Sequence, residues 1–238
     1  MSGREQKVAV ITGGSQGIGA GLVAGYRQLG WAVVASARRM KPSGDPDLLA
    51  VEGDIAEPGT ADQIIDAALG RFGRVDTLVN NAGIFLSKPF TEYTAADYAT
   101  VIGVNLTGFF YLTQWAITEM LPRGSGHVVN MSATVADVAD SSSPSVLAAL
   151  TKGGLAAATR SLAIEYAARG IRANAVAPGI IQTPLHPPEE YASLGPRMPP
   201  VGRAGQVSDV VGGILYQESA PYVTGVTLHI DGGLTAGH

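Results

Sequence analysis

Apolar and polar positions follow two different periods along the chain. Short apolar runs predict strands, and they occupy residues 8–11, 31–35, 48–52, 77–79, 127–131, 171–177 and 226–230. Longer stretches with helical periodicity lie between them, at residues 18–29, 60–72, 95–121, 146–169 and 209–218. Strands that alternate with helices of this length are typical of α/β proteins. The pattern therefore predicts a doubly wound, mostly seven-stranded parallel sheet with helices on both faces.

Polar residues indicate where three of the helices begin. Thr94 precedes the helix at residue 95, and Ser208 precedes the helix at residue 209. Ser143 is followed by Pro144, which we place at the first position of a helix. We therefore expect helices to start directly after Thr94, Ser143 and Ser208.

Two segments show neither period. Residues 134–145 and residues 182–203, which include six prolines, each follow a predicted strand. Open α/β sheets bind ligands beyond the carboxyl ends of their strands, so both segments are expected to border a ligand site. No shift in composition divides the chain. We predict one domain over residues 1–238, with residues 182–203 on its substrate side.

Composition excludes several classes of function. The 238 residues are 46% hydrophobic and carry a net charge of -4, which does not favour binding to nucleic acid or to an anionic membrane. The absence of cysteine removes disulfides and thiolate chemistry, and the four histidines lack the paired spacing of a metal site. The polar N-terminus and the lack of any run of 18 apolar residues predict a soluble, cytoplasmic protein.

A glycine-rich turn connects the first predicted strand to the first helix. It reads Thr-Gly-Gly-Ser-Gln-Gly-Ile-Gly over residues 12–19. Glycines let backbone amides approach a pyrophosphate, and the positive end of the following helix dipole favours its charge. A tight turn that only serves packing would look the same in isolation. The position between a strand and a helix favours a dinucleotide site.

Further short motifs follow the later predicted strands. They are Gly53-Asp54-Ile55, Asn80-Asn81-Ala82-Gly83, Ala177-Pro178-Gly179, Tyr222-Val223-Thr224-Gly225 and Asp231-Gly232-Gly233, with Asn105 in the longest helix. Over nearly its whole length the chain thereby resembles the short-chain dehydrogenase/reductase family of the classical type. The resemblance implies a Rossmann-type fold, a nicotinamide cofactor and an oxidoreductase activity on a small molecule.

The same resemblance implies which residues bind the cofactor. They are Gly13, Ser15, Gln16, Ile18 and Gly19 at the phosphates and ribose, Asp54 and Ile55 at the adenine, Asn81, Ala82 and Gly83 on the adenosine side, and Pro178, Gly179, Ile181 and Thr183 at the nicotinamide end. Lys152 would hold the nicotinamide ribose.

The end of the second strand indicates the type of cofactor. Family members that use NAD place an acid near the position of Ala37, and none stands there. Ser36, Arg38 and Arg39 offer instead the charge-assisted hydrogen bonds that hold a 2'-phosphate. The sequence thus predicts NADP(H), although two adjacent arginines could also serve only to solvate a loop. Because residues 40–47 are so short a connection, we expect a shortened helix there.

The catalytic residues of the family are only partly present. Members typically carry Tyr-x-x-x-Lys on the helix after the fifth strand, and this spacing puts both side chains on one helix face. Lys152 occupies the lysine position, whereas the tyrosine position is Ala148 and the usual serine aligns with Ala133. Ser132 is the neighbouring serine candidate. Asn105 matches the family's asparagine, which would order a water between Lys152 and solvent, with a structural polar contact as the alternative.

Another group would have to supply a proton where one is needed. Ser145 lies seven residues before Lys152, roughly 10 Å along a helix axis, and cannot replace a residue one turn away. The irregular segments offer Asp137, Asp140, His186 and Tyr191. Of these, His186 and Tyr191 are the better donors near neutral pH and the better substrate contacts, and we keep both as candidates.

The missing phenol changes which reaction is favoured. Hydride addition to a ketone leaves an alkoxide, which is costly in an apolar pocket without an acid, whereas addition to a protonated imine leaves a neutral amine. We therefore predict an NADPH-dependent reductase of a small, largely apolar imine or ketone, with C=N preferred. The rival hypotheses are a non-catalytic NADP-binding sensor or scaffold, and an inactive partner subunit of a hetero-oligomer.

The helix predicted at residues 146–169 carries more apolar surface than one sheet face needs. Leu155, Leu162 and the alanines at 156–158 contribute to it. This surface predicts an oligomer, and the family resemblance implies a homotetramer or a homodimer. Close packing of small residues between helix and sheet is the alternative explanation.

Overall fold

All seven strands lie in one parallel sheet. The computed structural model describes residues 6–184, 191, 194–195 and 198–237. The strands are β1 (Val8–Thr12), β2 (Ala32–Ala37), β3 (Leu48–Glu52), β4 (Thr77–Asn80), β5 (Gly126–Met131), β6 (Ile171–Pro178) and β7 (Thr227–Ile230). They run in the order β3-β2-β1-β4-β5-β6-β7, and every neighbouring pair is parallel. The predicted sheet is confirmed.

Helices cover both faces of the sheet. Those that lie within the described residues are α1 (Gly17–Gln28), α2 (Pro58–Phe72), α3 (Ala95–Ile102), α4 (Gly108–Met120), α5 (Val146–Tyr166) and α6 (Val207–Ser219). One core joins α1 and α6 to the sheet, and a second core joins α2, α4 and α5 to its other face. All five residues of β1 are buried, which explains why its sequence is a continuous apolar run and does not alternate.

The side on which successive strands are added to the sheet changes between β1 and β4. The segment from β1 to β3 extends the sheet to one side, and the segment from β4 to β7 extends it to the other. In a doubly wound sheet, the carboxyl ends of the strands on either side of such a point form a crevice. The two ends that meet here are Thr12 and Asn80, and they place the glycine turn beside the Asn81-Ala82-Gly83 motif.

The backbone stays helical from Ala95 to Met120, as predicted for residues 95–121, but its hydrogen bonding changes at one point. A wider π-helical turn, Gly103–Thr107, separates α3 from α4. The start predicted at Thr94 is confirmed, because Thr94 accepts from the Asp97 amide (3.1 Å) and Asp97 accepts from the Thr94 amide (2.9 Å).

Two other predicted capping residues, Ser143 and Ser208, are each displaced by two residues from the observed caps, although the predicted range 146–169 begins where the helix does. The helix after β5 begins at Val146 with Ser145 in front of it, because the Pro144 carbonyl accepts bonds from Ser87 and Lys88 and lies outside the helix. Helix α6 begins at Val207, and Gln206 with Asp209 forms its capping box.

The connection from β2 to β3 contains no helix among its residues 38–47, all of which the structure describes. The shortened helix expected there is therefore absent. Arg27 of α1 holds the second half of the connection through ion pairs to Asp45 (2.8 Å) and Asp47 (3.2 Å). Parallel strands usually need a longer crossover than this, so the ion pairs and side-chain bonds must fix the path of the chain.

A buried chain of polar side chains ties the helices to the centre of the sheet. Asn80 donates to Thr113 of α4 and to Asn130 of β5, both at 2.9 Å, and Asn130 donates to Thr159 of α5 at 2.9 Å. All four residues are buried. Buried polar groups stabilise a fold only while they remain paired.

Asn130→Ala is therefore expected to lower the free energy of unfolding by about 2–3 kcal/mol, because it leaves donor and acceptor groups unpaired and opens a cavity. Urea unfolding measures the change. Thr118→Ala is the control, since its exposed hydroxyl bonds only the Gln114 carbonyl of its own helix. A loss at Asn130 no larger than the loss at Thr118 contradicts the structural role of this polar chain.

Within the described residues, no helix combines the length and the apolar character needed to cross a bilayer.

Candidate functional site

The ends of β1 and β4 are joined by hydrogen bonds around Thr12. The Thr12 hydroxyl accepts from the amides of Asn81 (3.0 Å) and Ala82 (2.9 Å). The side-chain nitrogen of Asn81, Nδ2, donates to the Thr12 carbonyl at 2.8 Å. Two of the predicted cofactor residues are thus held directly against the start of the glycine turn.

The glycine turn is packed too closely for side chains at two positions. A Cβ at Gly19 would lie 2.0 Å from the Gly13 carbonyl oxygen and 2.7 Å from the side-chain nitrogen of Asn81. Gly13 has a φ of 68° and would place a Cβ 2.9 Å from that same nitrogen. The two glycines therefore allow the turn to pack directly on itself and on Asn81, and we call the backbone surface between this turn and the end of β4 the glycine groove.

The start of α1 offers hydrogen-bond donors without a capping side chain. Its N-cap residue, Gln16, makes no side-chain capping bond, and the first turn contains no acidic residue. The α3 terminus, by contrast, is closed by Thr94 and Asp97. Uncapped amides and a positive helix end fit an anionic group of a dinucleotide, and Ser15, Gln16 and Ile18 lie beside them.

The segment after β6 reaches across the crevice to the glycine turn. A Cβ at Gly17 would lie 3.5 Å from the Thr183 side chain. Gly179 packs against Asp231, where a Cβ would lie 2.8 Å from the Asp231 Cα. Ile181 is buried and forms a bridge to Gly205. The residues predicted for the nicotinamide end are therefore near those predicted for the phosphates.

Tyr191 holds this segment in place through hydrogen bonds. Its hydroxyl donates to the Ile181 carbonyl (3.1 Å) and accepts from the Thr183 amide (3.1 Å), and only 8% of the residue is exposed. This arrangement differs from the expected role of proton donor, because the hydroxyl hydrogen is used inside the protein. The other candidate, His186, lies outside the described residues.

The residues predicted for the adenosine half lie at the carboxyl ends of β2 and β3. Ser36 is buried, while Arg38 and Arg39 are exposed. Asp54 uses one carboxylate oxygen to accept from the Ala56 amide at 3.0 Å. Ile55 packs so closely on the start of α4 that a Cβ at Gly108 would lie 2.5 Å from it. Because Arg38 and Arg39 are exposed, their guanidinium groups remain accessible at the edge of the crevice.

Lys152 reaches from α5 to the gap between β4 and β5. Its Nζ donates to the Met131 carbonyl at 2.7 Å, and a Cβ at Gly83 would lie 3.0 Å from that nitrogen. Burial of the ammonium group lowers the pKa of Lys152 to about 8. The structure thus brings Lys152 to the same strand ends as the cofactor motifs.

Asn105 is fully engaged with its neighbours. Its side-chain oxygen accepts from the Ile84 amide (2.9 Å), and its nitrogen donates to the Ile84 carbonyl (3.0 Å) and to Thr151 (3.1 Å). It therefore fixes the segment after β4 to the residue that precedes Lys152. Beside Asn105 is a cavity of about 10 Å³, lined also by Thr12, Asn80 and Ala82, which is the size of a single water site.

Neither Ser132 nor Ala148 offers a proton to the crevice. Ser132 is buried, and its hydroxyl donates to the Lys152 carbonyl at 2.9 Å. Ala148 lies one helical turn before Lys152 and is only 2% exposed. Ser132 was a candidate catalytic residue in the sequence, but its geometry is that of a brace for α5.

Comparison with known proteins identifies the family. A family model described as enoyl-(acyl carrier protein) reductase matches residues 13–235. The cis-4-hydroxycyclohexanecarboxylate dehydrogenase of Sinomonas cyclohexanicum is 37% identical, and the alignment covers 97% of either chain. The chain belongs to the short-chain dehydrogenase/reductase family.

Solved structures of the family share the whole fold. ElxO with NADP bound has a TM-score of 0.88 at 29% identity, over 98% of this chain and 100% of that chain. A short-chain dehydrogenase of Leptospira borgpetersenii with bound NAD+ has a TM-score of 0.87 at 30% identity, over 97% of this chain and 93% of that one. The Rossmann-like sheet of this short-chain dehydrogenase/reductase is therefore that of its relatives.

Sequence reasoning missed three residues that organise the site. Thr12 joins the two strand ends, Thr151 accepts from Asn105, and Pro144 accepts from the amide (3.0 Å) and hydroxyl (2.9 Å) of neighbouring residues after β4. Thr12 is the first residue of the glycine-rich turn and Thr151 directly precedes Lys152, so both were beside recognised residues but were given no role. Nothing local to Pro144 indicates its distant partners.

Proposed function

We propose that this short-chain dehydrogenase/reductase is an NADPH-dependent reductase of a small, largely apolar imine or ketone. One arrangement carries the proposal: the glycine groove and Lys152 meet at the same strand ends, while Ala148 stands one turn before the lysine. A bound nicotinamide would supply the hydride. The protein would supply position, charge and exclusion of water.

The donor groups fit a dinucleotide with a 2'-phosphate. The uncapped start of α1 and the close glycines would accommodate the pyrophosphate, and the exposed Arg38 and Arg39 present donors at the end of β2, beside the buried Ser36. Neither arginine has an ion-pair partner among the described residues. ElxO, which resembles this chain over its full length, has been solved with NADP bound. We therefore propose NADP(H) as the cofactor.

The catalytic role of the family tyrosine is proposed to be vacant. Ala148 has no ionisable group, and the hydroxyls of Ser132 and Tyr191 donate within the protein. A substrate that already carries its proton, such as an iminium ion, needs hydride alone and gains no negative charge. We therefore propose that C=N is reduced faster than C=O.

Lys152 and Asn105 keep roles that do not require the tyrosine. Lys152 would bind the nicotinamide ribose with its ammonium group, and Asn105 would act as a positioning residue through Ile84 and Thr151. The Ser132 hydroxyl would help to position Lys152 by donating to the Lys152 backbone carbonyl. These roles would explain why the chain keeps the cofactor site and Lys152 although Ala148 stands at the tyrosine position.

The walls of the crevice favour a small apolar substrate. Phe85, two residues after Gly83, is 54% exposed beside the segment that Ser87 and Lys88 tie to Pro144. The relative from Sinomonas cyclohexanicum is named for a six-membered carbocycle that carries a hydroxyl group and a carboxylate group. We propose cyclic compounds of that size as the first substrates to test.

The test compares C=N and C=O at matched size. NADPH oxidation is measured with 6-methyl-2,3,4,5-tetrahydropyridine and with 2-methylcyclohexanone, and NADPH and NADH binding is measured by fluorescence titration without substrate. We expect tighter binding of NADPH and faster turnover of the imine. Equal affinity for the two cofactors contradicts the cofactor choice. Tight binding without turnover of any imine or ketone in a broad panel contradicts the reductase and favours the non-catalytic sensor or scaffold.

The exposed faces of α4 and α5 support assembly with further copies. Phe110 (59% exposed), Trp115 (44%), Leu150 (55%) and Ile164 (84%) lie on them. Large contiguous apolar patches on a surface often mark contacts between proteins. We propose a homodimer or homotetramer built on these helices, which sedimentation at micromolar concentration distinguishes from a monomer.

A further inference from the structure

We infer that Glu52 sets how strongly this chain distinguishes NADP(H) from NAD(H). It does so by holding the turn of residues 38–40, here called the arginine turn, and by placing a negative charge beside it. The inference rests on the proposed cofactor site and concerns a residue that no motif of the sequence singles out.

Glu52 lies where the 2'-end of the adenosine ribose is proposed to bind. It is the last residue of β3 and pairs with Ala37, the last residue of β2. The Gly53 amide donates to the Ala37 carbonyl at 3.1 Å, which continues the pairing beyond the strands. Adjacent residues of parallel strands direct their side chains to the same face, so Glu52 lies beside the position where NAD-type members carry an acid.

The carboxylate of Glu52 fixes the arginine turn. Its Oε1 accepts from the Met40 amide at 2.8 Å. Among the described residues, no other side-chain hydrogen bond reaches residues 38–40, and the connection has no helix to order them. The ion pairs of Arg27 hold only the far half of the connection, at Asp45 and Asp47. The Met40 side chain also packs against the core that joins α1 and α6 to the sheet, so this packing and the bond to Glu52 together hold the arginine turn.

The charge of Glu52 acts against the same phosphate that the arginines attract. Glu52 is exposed and forms no ion pair with Arg38 or Arg39, so all three charges remain available to a ligand. A carboxylate repels a 2'-phosphate but accepts from a free 2'-hydroxyl. Glu52 thus helps to position the arginines through its hydrogen bond to the Met40 amide, and its charge opposes their attraction for the phosphate. The consequence is a chain that prefers NADP(H) but also binds NAD(H).

Two substitutions separate these effects. Glu52→Gln keeps an oxygen acceptor for the Met40 amide and removes the charge, so the preference for NADPH over NADH is expected to rise about threefold to tenfold. Glu52→Ala removes charge and acceptor together, so the arginine turn loses its tie and NADPH affinity falls below that of the glutamine variant. Glu57→Gln is the matched control, because it removes an exposed charge at the start of α2.

The measurement is direct binding of NADPH and NADH by fluorescence titration, with thermal unfolding to establish that each variant is folded. A preference of Glu52→Gln within twofold of the unchanged chain overturns the inference about charge. Equal NADPH affinity in the alanine and glutamine variants overturns the inference about positioning. A double variant, Arg38→Ala with Arg39→Ala, tests the cofactor proposal itself. If its preference is unchanged, the proposed 2'-phosphate site is wrong, whereas a lost preference together with silent Glu52 variants refutes only the role of Glu52.

Discussion

Gly19→Ala is expected to weaken NADPH binding by at least about a hundredfold. The added methyl group would lie 2.0 Å from the Gly13 carbonyl oxygen and 2.7 Å from the Asn81 side-chain nitrogen. Since the first of these is backbone, no side-chain rotation relieves the contact. The turn must open, and the amides at the start of α1 move away from the groove that they form with β4. Fluorescence titration with NADPH measures the loss.

The same substitution is expected to destabilise the fold, because Asn81 also holds Thr12 at the centre of the sheet. Gly70→Ala is the matched control. Gly70 lies in α2, is exposed, and a Cβ there would meet nothing within 4 Å. Alanine at this helical position is expected to raise the free energy of unfolding by about 0.5–1 kcal/mol and to leave binding unchanged. Wild-type affinity in Gly19→Ala would show that the groove is not where the cofactor binds.

The sequence predicts the sheet well because every strand is short, apolar and separated from the next by a helix or a marked turn. Burial on both faces produces continuous apolar runs, such as the five buried residues of β1, and these need no tertiary information to be recognised. The glycine turn is predictable for a similar reason. Its function depends on residues that are consecutive in the chain.

The π-helical turn between α3 and α4 could not be predicted in this way. The apolar pattern continues through residues 95–121, and the π-helical turn coincides with hydrogen bonds from Asn105 to Ile84, 21 residues away. Periodicity carries no information about such a distant partner. Tyr191 presents the same difficulty. Its residue type is that of a proton donor, and only the folded chain reveals that its hydroxyl is bonded to Ile181 and Thr183.

Lys152→Met is expected to stabilise the cofactor-free protein while it removes function. Burial holds the pKa of Lys152 near 8, below the ordinary 10.5, so the folded state disfavours the charged amine. A shift of this size corresponds to roughly 3 kcal/mol, and the lost bond to the Met131 carbonyl offsets about 1 kcal/mol of it. We expect a net gain of about 2 kcal/mol at pH 7, measured by urea unfolding.

The pH dependence identifies the cause of this gain. Below pH 8 the lysine is protonated in both folded and unfolded states, and the penalty is constant and largest. Between pH 8 and about 10.5 the unfolded chain binds more protons than the folded one, so the stability of the unchanged protein rises with pH relative to the variant. The advantage of Lys152→Met should therefore shrink across this range. An advantage independent of pH would mean that the amine is not desolvated in the folded state.

The functional loss follows from the same residue. If Lys152 binds the nicotinamide ribose, its removal is expected to reduce NADPH turnover by about a hundredfold or more, since hydride transfer depends on the orientation of the ring. Arg160→Met is the control, because Arg160 is exposed on the same helix and far along it from the strand ends. Its substitution should alter neither turnover nor the pH dependence of stability. A stable Lys152→Met protein with full turnover would remove Lys152 from the active site, whereas opposite changes in stability and activity would mean that this chain retains a destabilising charge for its chemistry.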